Sequence, residues 1–537
     1  MSKLNKKVVN KIEDSAHKNF MGGDSWDITS PFTRLRMVAA SSFFGEPKYY
    51  NEDGSINKSK KVAINYLNSN HEYNRSILGG IDDTGWKGLS SQELMEKNID
   101  DCLNVDIEQT LQIAVSLRNE DYIRSTPQVI LVRAAMHSNS KGTGLITTYG
   151  PKICKRGDEP AAGMSYFLAT YSRKTALPNS LKKLWKSVLE SFDDYTISKY
   201  RMDKNFVKTV DVVRMVHAHS SAIDKLMAGK AKQEKTWNTI ISNSSNKTET
   251  DRKENWEKAI SSMGHMALLR NLRNFISNNV DPTLYCDKLL SGVATGKQLP
   301  FRYLSAYNAI EKLNGSSKII DVIEQCLEDS FINAPHFSGK VMCLSDNSGS
   351  AHGALTSEFG TMSVAKIGNL MSVMTAKMAD EGQVGVFGDK LQVIDVRKKQ
   401  SVFDLVKQAN QYGNWVGRAT ENGIWLFWDD AIRNKKHYDH VFVYSDMQAG
   451  HGGLYGCNHH DYENYLWNNS THINVPKLIS EYRKTVNPNV MVYLIQTAGY
   501  GDVLIPEYFN RTFILGGWSP NIPQFAAEMS KLADNKQ

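Results

Sequence analysis

The hydrophobic pattern of this chain changes character near Pro335, and this change most limits the folds open to it. From about Asn19 to Phe331, apolar residues recur every three or four positions, which is typical of amphipathic helices. After Pro335, apolar runs of strand length alternate with helical segments. With 537 residues, the chain is also too long for a single hydrophobic core. We therefore expect two domains, over residues 1–335 and 336–537.

The second region has the pattern of a parallel sheet covered by helices. Its predicted strands are GKVMCLSD, QVGVFGD, HVFVYSD, VMVYLIQ and RTFILGG, and helical segments lie between them. This alternation favours a doubly wound, Rossmann-like α/β fold with helices on both faces of the sheet. In such folds, ligands bind at the carboxyl ends of the strands. The residues that follow each strand are therefore the first candidates for a site.

The first region has the pattern of a helical solenoid. Helical segments of roughly 10–18 residues follow one another with short loops between them, which favours stacked repeats over one compact bundle. No strand or hairpin pattern interrupts the region from Asn19 to Phe331, and no clear repeat period is visible. We therefore expect an α domain of helical repeats whose sequences have diverged.

The positive charge of the chain is concentrated in one stretch of the helical region. The net charge is +7, and residues 1–340 hold 47 Lys and Arg against 38 Asp and Glu. Residues 141–230 alone hold 16 against 8, so most of the excess lies there. A basic surface on one part of a domain suits a polyanionic partner such as nucleic acid. A solvated basic face without a partner is the alternative.

The N-terminus and the cysteines predict a cytoplasmic protein with no membrane partner. The first 20 residues are charged throughout and lack the apolar core of a signal peptide. No run of about 18 apolar residues occurs, so no membrane span is expected. The six cysteines lie far apart and form no CxxC pair. They predict neither a disulfide framework nor a zinc finger, and they suit a reducing compartment.

Oxygen-bearing side chains follow the first predicted strand of the second region at alternate positions. Asp346, Ser348 and Ser350 lie where alternate residues of a loop can point toward one small cation. Asp446 ends a later strand, and Thr420 precedes the helix before that strand. Carboxylate and hydroxyl oxygens are ligands that Mg²⁺ prefers. The five residues predict a divalent metal site, most simply for Mg²⁺. Taken singly, Thr420 and Asp446 could also cap a helix or a turn.

This arrangement resembles the metal-ion-dependent adhesion site of von Willebrand A domains. In that family an Asp-x-Ser-x-Ser motif, a Thr loop and a later Asp hold a cation whose open position accepts an acidic group from a partner. The resemblance implies a von Willebrand A fold for residues 336–537. It assigns the site to Asp346, Ser348, Ser350, Thr420 and Asp446. The chemistry implied is recognition, with no reaction.

The helical region resembles the RNA-binding TROVE domain of the Ro 60-kDa autoantigen family. The similar segments are GHMALLRNLRNF, TRLRMVAASSFFGEPKYY and KYRMDKNFVKTVDVVRMVHAHS, and the order of the two domains also matches. The resemblance implies a ring of HEAT-like repeats over residues 1–335. It implies a monomeric, non-enzymatic protein of ribonucleoprotein particles that serves RNA quality control. Its partners would be small noncoding Y-like RNAs, the single-stranded 3′ ends of misfolded RNAs in the central hole, and an exoribonuclease as a candidate companion.

Cations and aromatic rings alternate in the basic stretch. Single-stranded RNA needs cations that follow its phosphates and flat groups that stack on its bases. The basic residues predicted to contact RNA are Lys182, Lys183, Lys186, Lys199, Arg201, Lys204, Lys208, Arg214 and His217. Tyr200 and Phe206 lie among them. By resemblance, Arg214 and His217 belong to the end of the helix that binds Y RNA.

Two arginines further along the chain have two open interpretations. Arg270 and Arg273 are three residues apart on one face of a predicted helix, while Leu268, Leu269 and Leu272 face its core. The arginines would either line the hole of a ring or be ordinary surface residues.

Two other functions also stay open. A protein scaffold without RNA would use the metal site to hold an acidic side chain of its partner. A metal-dependent nuclease would need more carboxylates around the ion than Asp346 and Asp446. Gly296-Lys297 is followed by Gln298 rather than by Ser or Thr, so no Walker phosphate loop is present. No nucleophile elbow surrounds Ser348. We therefore expect a protein that is not an enzyme.

Overall fold

The fold is described from a computed structural model of the chain. The described residues are 17–18, 24–27, 30–41, 91–171, 174–203, 205–230, 237–242, 248–296, 298–314, 316–331, 334–353, 362–447, 473–497, 502–503, 511–517 and 521–534. Across these ranges, no helix combines the length and the apolar character that a membrane crossing requires.

Helices fill most of the first region. The helices α1 to α10 are Pro31–Ser41, Ser91–Val105, Ile107–Asn119, Ser125–Met136, Leu145–Ile153, Glu159–Thr170, Asn179–Glu190, Asp194–Lys199, Thr209–Val216 and Ser221–Met227. The helices α11 to α17 are Trp237–Ser242, Glu249–Ile260, His265–Ser277, Cys286–Ser291, Val293–Gly296, Pro300–Ile310 and Ser317–Asp329. The helical expectation is confirmed for the part of this region that the structure describes.

Capping side chains divide the long apolar patterns into separate helices. The carboxylate of Asp106 accepts a hydrogen bond from the backbone N–H of Gln109 at 3.0 Å, so this single residue separates α2 from α3. Ser220 accepts one from the N–H of Ile223 at 3.3 Å and begins α10. Each cap satisfies an N–H group that has no partner within its own helix. The caps therefore produce short helices that fold back on one another.

Two short strands precede α1, so the expectation that no strand interrupts the first region was wrong. Strand β1, His17–Lys18, pairs antiparallel with β2, Asp24–Asp27. Strand β2 also pairs with β8, Asp502–Val503, near the other end of the chain. Local periodicity cannot report a pairing between segments so distant in sequence, and the DSWD segment has no apolar alternation.

The second region forms a six-stranded sheet. Its strands are β3 Phe337–Asp346, β4 Ala379–Phe387, β5 Leu391–Val396, β6 His440–Ser445, β7 Met491–Gln496 and β9 Thr512–Gly516, in the order β5-β4-β3-β6-β7-β9. All neighbouring strands are parallel except β4 and β5. The doubly wound prediction is thereby confirmed. The edge strand β5 was not predicted, because only Ile394 of its six residues is buried.

Helices cover both faces of this sheet. They are α18 Gly349–Gly353, α19 Val364–Lys377, α20 Val402–Gly413, α21 Gly423–Arg433, α22 Val475–Thr485 and α23 Asn521–Asp534. Along β3, Val341 and Cys343 join one hydrophobic cluster with α19 and α20. Met342 and Leu344 join a second cluster with α21 and α22. The alternation along β3 matches a strand buried on both faces.

The helical region divides between two hydrophobic cores. Helices α1 to α10, in residues 30–230, form a core of their own around fully buried Trp185. Helices α12 to α17 belong to the same cluster as one face of the sheet. At this joint the ring of Tyr307 in α16 stacks on Phe403 in α20, with centroids 4.2 Å apart. The later helices are therefore packed as part of the α/β region.

Candidate functional site

Two carboxylates meet at the carboxyl edge of the sheet. Asp346 is the last residue of β3, and Asp446 directly follows β6. These strands are parallel neighbours, with Ser345 paired to Tyr444, so their ends lie side by side. Asp346 is 2% exposed and Asp446 is fully buried. The sheet topology thus brings together two residues that lie 100 positions apart.

The two predicted serines directly follow β3: Ser348 lies in the turn, and Ser350 lies in the short helix α18. The backbone N–H of Ser348 donates to Oδ1 of Asp346 at 2.8 Å. The hydroxyls of Ser348 and Ser350 are hydrogen-bonded to each other at 2.9 Å, and both residues are buried. The N–H of Gly349 donates to the carbonyl of Arg418 at 2.8 Å, which fixes this turn against the loop before α21. The turn therefore holds its hydroxyls beside the Asp346 carboxylate.

The loop before α21 brings an acidic residue that the sequence reasoning missed. Glu421 is 5% exposed, and ligand oxygens of Asp346, Glu421 and Asp446 all lie within 4.8 Å of one another. The hydroxyl of neighbouring Thr420 instead donates to Oδ1 of Asp389 at 2.8 Å. The only available signal was an acidic residue directly after the predicted threonine. Hydrophobic patterning does not report where the side chains of a loop point, so Glu421 was not predicted.

Burial raises the pKa values of these carboxyl groups. Desolvation, followed by the negative charge of Asp446, raises the pKa of Asp346 from 3.8 to about 7. Burial and the same two aspartates raise the pKa of Glu421 well above its usual range. The hydroxyl of Ser445 donates to Oε2 of Glu421 at 2.8 Å. Like charges without water repel strongly, so the ionised cluster needs either protons or a cation.

The cluster has the donor set for a divalent cation. Three buried carboxylates and two buried hydroxyls provide only oxygen ligands, as Mg²⁺ prefers. Oδ2 of Asp346 is buried and accepts no hydrogen bond from the described part of the chain. A buried carboxylate oxygen without a donor is costly unless an ion compensates it. This acidic triad could therefore hold a metal ion.

Most of the predicted RNA contacts lie on helices α7 to α9 and on the loops that join them. Lys183, Lys199, Lys208, Arg214 and His217 are exposed, whereas Lys182, Lys186 and Arg201 are half-buried. Lys204 lies outside the described residues. Two cations have acidic partners: Lys186 is 3.8 Å from Glu190, and Arg201 is 3.0 Å from Asp203. The others carry most of the positive charge of this face.

Exposed rings lie among these cations. Tyr195 is 47% exposed and Phe206 is 40% exposed, so both rings are accessible for stacking. Nζ of Lys199 lies 5.6 Å from the ring centre of Tyr195 and 5.4 Å from that of Tyr200. We name this surface of α7 to α9, with its lysines, arginines and rings, the basic aromatic face.

A second group of arginines has members from both halves of the helical region. Arg270 and Arg273 are exposed on α13, whose Leu268 and Leu272 are buried as predicted. Arg302 lies on α16, and Arg124 lies just before α4. Burial lowers the pKa of Arg302, and the positive charges of Arg124 and Arg270 lower it further. We name Arg124, Arg270 and Arg302 the arginine cluster.

Comparisons with known proteins agree with this architecture. The TROVE domain family matches residues 216–325. The crystal structure of the Ro (RSR) protein of Deinococcus radiodurans superposes with a TM-score of 0.54 at 12% sequence identity. The alignment covers 93% of this chain and 100% of that one. Residues 216–325 are thus similar to the TROVE domain family, and the fold of the chain is similar to that of the Ro (RSR) protein. The comparison with curated proteins found no match.

The Ro fold accounts for the order of the parts. Its ring of helical repeats corresponds to the helical region here, and its von Willebrand A-like domain corresponds to the six-stranded sheet with its helices. The TROVE match begins at the end of α9 and extends into α17. It contains Arg270, Arg273 and Arg302, whereas most of the basic aromatic face precedes it.

Proposed function

We propose that this protein binds RNA without catalysing a reaction on it. The arginine cluster is the observation that carries the proposal. Arg302 is affected by the charges of Arg124 and Arg270, which come from different helical units. Gathering like charges destabilises a fold unless an anion compensates them. An RNA strand, with one phosphate per nucleotide, is an anion that spans such a group.

The surroundings of the arginine cluster favour an extended strand over a small anion. Arg124 also experiences the positive charges of Arg156 and Arg118 and the negative charges of Asp158 and Glu159. Arg156 forms an ion pair with Asp158 at 2.9 Å, and Arg118 forms one with Glu159 at 2.7 Å. The guanidinium of Arg156 lies 5.2 Å from the ring centre of Tyr200, which belongs to the basic aromatic face. Guanidinium groups and a ring therefore continue from the arginine cluster toward that face, with the charges of Arg118 and Arg156 balanced by carboxylates. Such a series of groups suits a strand several nucleotides long.

The two surfaces suggest two classes of RNA. The arginine cluster would bind the single-stranded 3′ ends of misfolded RNAs, because phosphates of a single strand can follow converging guanidinium groups. The basic aromatic face would bind a small noncoding, Y-like RNA through its phosphates and unpaired bases. The protein would then act as a monomer in a cytoplasmic ribonucleoprotein particle for RNA quality control, with an exoribonuclease as a candidate companion.

A nuclease does not suit the acidic triad. The three carboxylates lie within 4.8 Å of one another, which is the space of one cation, and all three are buried. A two-metal nuclease holds its ions about 3.5–4 Å apart and leaves them open to the phosphodiester. We propose that the triad region instead holds one Mg²⁺ near Asp346, Ser348, Ser350, Thr420 and Asp446.

Two RNAs test the binding proposal: a hairpin with a 3′ single-stranded tail of ten nucleotides, and the same hairpin with a blunt end. Arg270→Gln and Arg302→Gln should each weaken binding of the tailed RNA roughly tenfold, because each removes a charge-assisted contact to phosphate. Binding of the blunt hairpin should change much less. Fluorescence anisotropy measures both affinities.

The matched control is Arg252→Gln, which removes the same charge from an exposed position on α12. It should leave both affinities within about twofold, as expected for a charge distant from the bound phosphates. Equal losses of RNA affinity in all three variants would mean that only the net charge of the protein matters, and not the position of the arginines. Unchanged affinity in Arg270→Gln and Arg302→Gln would remove the arginine cluster from the proposal.

A further inference from the structure

We propose that Glu421 is a third carboxylate ligand of the divalent cation, and that it closes the metal site to acidic groups of partner proteins. The inference rests on the proposed metal site and changes its role. The cation would join three loops of the α/β region instead of recruiting a partner. This role departs from the one that the adhesion-site resemblance implied.

The geometry admits Glu421 as a ligand. Two oxygens bound to one Mg²⁺ lie about 3 to 4 Å apart, since each bond is about 2.1 Å long. The ligand oxygens of Asp346, Glu421 and Asp446 already lie within 4.8 Å, so a small contraction would complete the coordination. Oδ2 of Asp346 is buried with no hydrogen-bond donor among the described residues. The site therefore has both the spacing for a cation and an oxygen that needs one.

The hydroxyl of Thr420 is held by other groups. Its hydrogen is donated to Oδ1 of Asp389 at 2.8 Å, and its oxygen accepts the N–H of Asn422 at 3.3 Å. Asp389 is only half-buried and lies in the turn after β4. A hydroxyl that coordinates a cation turns its hydrogen away from the ion, and the bond to Asp389 is compatible with that orientation. Glu421 would therefore be a ligand in addition to Thr420, and its full negative charge should make it the stronger of the two.

The net charge of the cation with its carboxylate ligands determines whether the site can attract a further carboxylate. Two aspartates neutralise one divalent cation, and such a site can accept a carboxylate at an open position. With Glu421 as a third carboxylate the loaded site carries a net charge of about −1. In a buried, weakly screened environment this charge repels another carboxylate. The loaded site should therefore reject acidic side chains.

The bound cation would instead fix three loops. Asp346 ends β3 where the next loop begins, Glu421 precedes α21, and Asp446 follows β6. A ligand that binds only the folded state stabilises it in proportion to its affinity and concentration. The cation should therefore raise the midpoint of thermal unfolding of the α/β region, in addition to completing the electrostatics of the triad.

The test uses the full-length protein, stripped of metal with EDTA and titrated with MnCl₂ and with MgCl₂ by calorimetry. Glu421→Gln keeps the shape and removes the charge, so it should weaken affinity for both cations by at least roughly tenfold. Thr420→Ala, one residue away, should change it less than about threefold. The reverse order of effects would overturn the inference. Absence of metal binding in the unaltered protein would instead contradict the metal site itself.

A second measurement tests whether the loaded site accepts acidic groups, even if Glu421→Gln fails to fold. Sodium acetate is added to the Mn²⁺-loaded, unaltered protein, and water-proton relaxation reports on the waters bound to Mn²⁺. Acetate should leave the relaxation unchanged up to millimolar concentrations. In a folded Glu421→Gln variant, acetate should displace water and lower the relaxation. Displacement of water in the unaltered protein would show that the site accepts acidic groups and would overturn the inference.

Discussion

The two halves of the helical region differ in what they pack against. Helices α1 to α10 enclose a core that consists only of their own side chains. Helices α12 to α17 share a core with the sheet, through contacts such as Tyr307 on Phe403. The division of cores therefore does not follow the division of secondary structure near residue 335. In the arginine cluster, Arg124 lies beside a helix of the first core, and the other two arginines lie on helices of the second.

The two cores determine which segments of the chain should unfold together. A domain boundary drawn from hydrophobic periodicity separates helices from strands, yet stability follows the cores. Residues 248–329 should unfold together with the sheet, and residues 91–230 should unfold separately.

The largest effect is expected from Phe403→Ala, which removes a buried ring at the joint between α16 and α20. It should lower the free energy of unfolding by about 3–5 kcal/mol, the usual cost of a buried aromatic ring. Hydrogen exchange measured by mass spectrometry should show faster exchange in both α16–α17 and the sheet. Trp185→Ala, in the first core, should accelerate exchange in α2–α10 instead. The same pattern from both variants would contradict separate cores.

A smaller effect should come from pH, and only in the second core. The pKa of Asp346 is raised from 3.8 to about 7, so between these values the folded state keeps a proton that the unfolded state has lost. Stability of the metal-free protein should therefore fall as the pH rises from about 4 to 7, by at most about 1.4 kcal/mol per pKa unit.

Urea unfolding at a series of pH values in EDTA measures this slope. The Asp346→Asn variant should show a flatter profile over the same range, because it removes the titrating group. Added MgCl₂ should flatten the profile of the unaltered protein above pH 6, because the cation replaces the proton. Identical profiles for the two proteins in EDTA would assign the slope to other groups.

The smallest effect is expected at the cap that joins α17 to α20. The carboxylate of Glu324 accepts hydrogen bonds from the hydroxyl of Ser401 and from the N–H of Val402, both at 2.6 Å. Glu324→Ala should cost about 1–2 kcal/mol, the range of lost helix caps. Glu249→Ala, an acidic residue in the first turn of α12, is the matched control and should cost less. Equal losses of unfolding free energy in the two variants would mean that the contact between α17 and α20 does not stabilise the fold.

From the sequence, buried helices and strands were easier to predict than strands that depend on pairing with a distant segment. The strands after residue 335 were predictable because both faces of the sheet are covered, so β3, β6 and β7 are apolar runs. The edge strand β5 lacks this signal, and β2 depends on a pairing with β8 at the far end of the chain. Elements stabilised by local pattern were visible, whereas those stabilised only by distant partners were not.

The candidate site divides in the same way. Asp346 and Asp446 could be predicted to meet because both end parallel strands of one sheet. The approach of Glu421 could not be predicted, because this residue lies in a loop and hydrophobic patterning does not report where loop side chains point. The arginine cluster depends on how two separate cores approach each other, so only Arg270 was a candidate from the sequence.

The salt dependence of binding to the tailed hairpin tests RNA binding by the arginine cluster most directly. Affinity is measured by anisotropy between 50 and 300 mM KCl, for the unaltered protein and for the Arg270→Gln, Arg302→Gln double variant. Each phosphate contact releases counterions, so log affinity should fall steeply with log salt concentration, and the double variant should lose about one to two units of slope. A flat response in the unaltered protein, or identical slopes in the two proteins, would contradict the account.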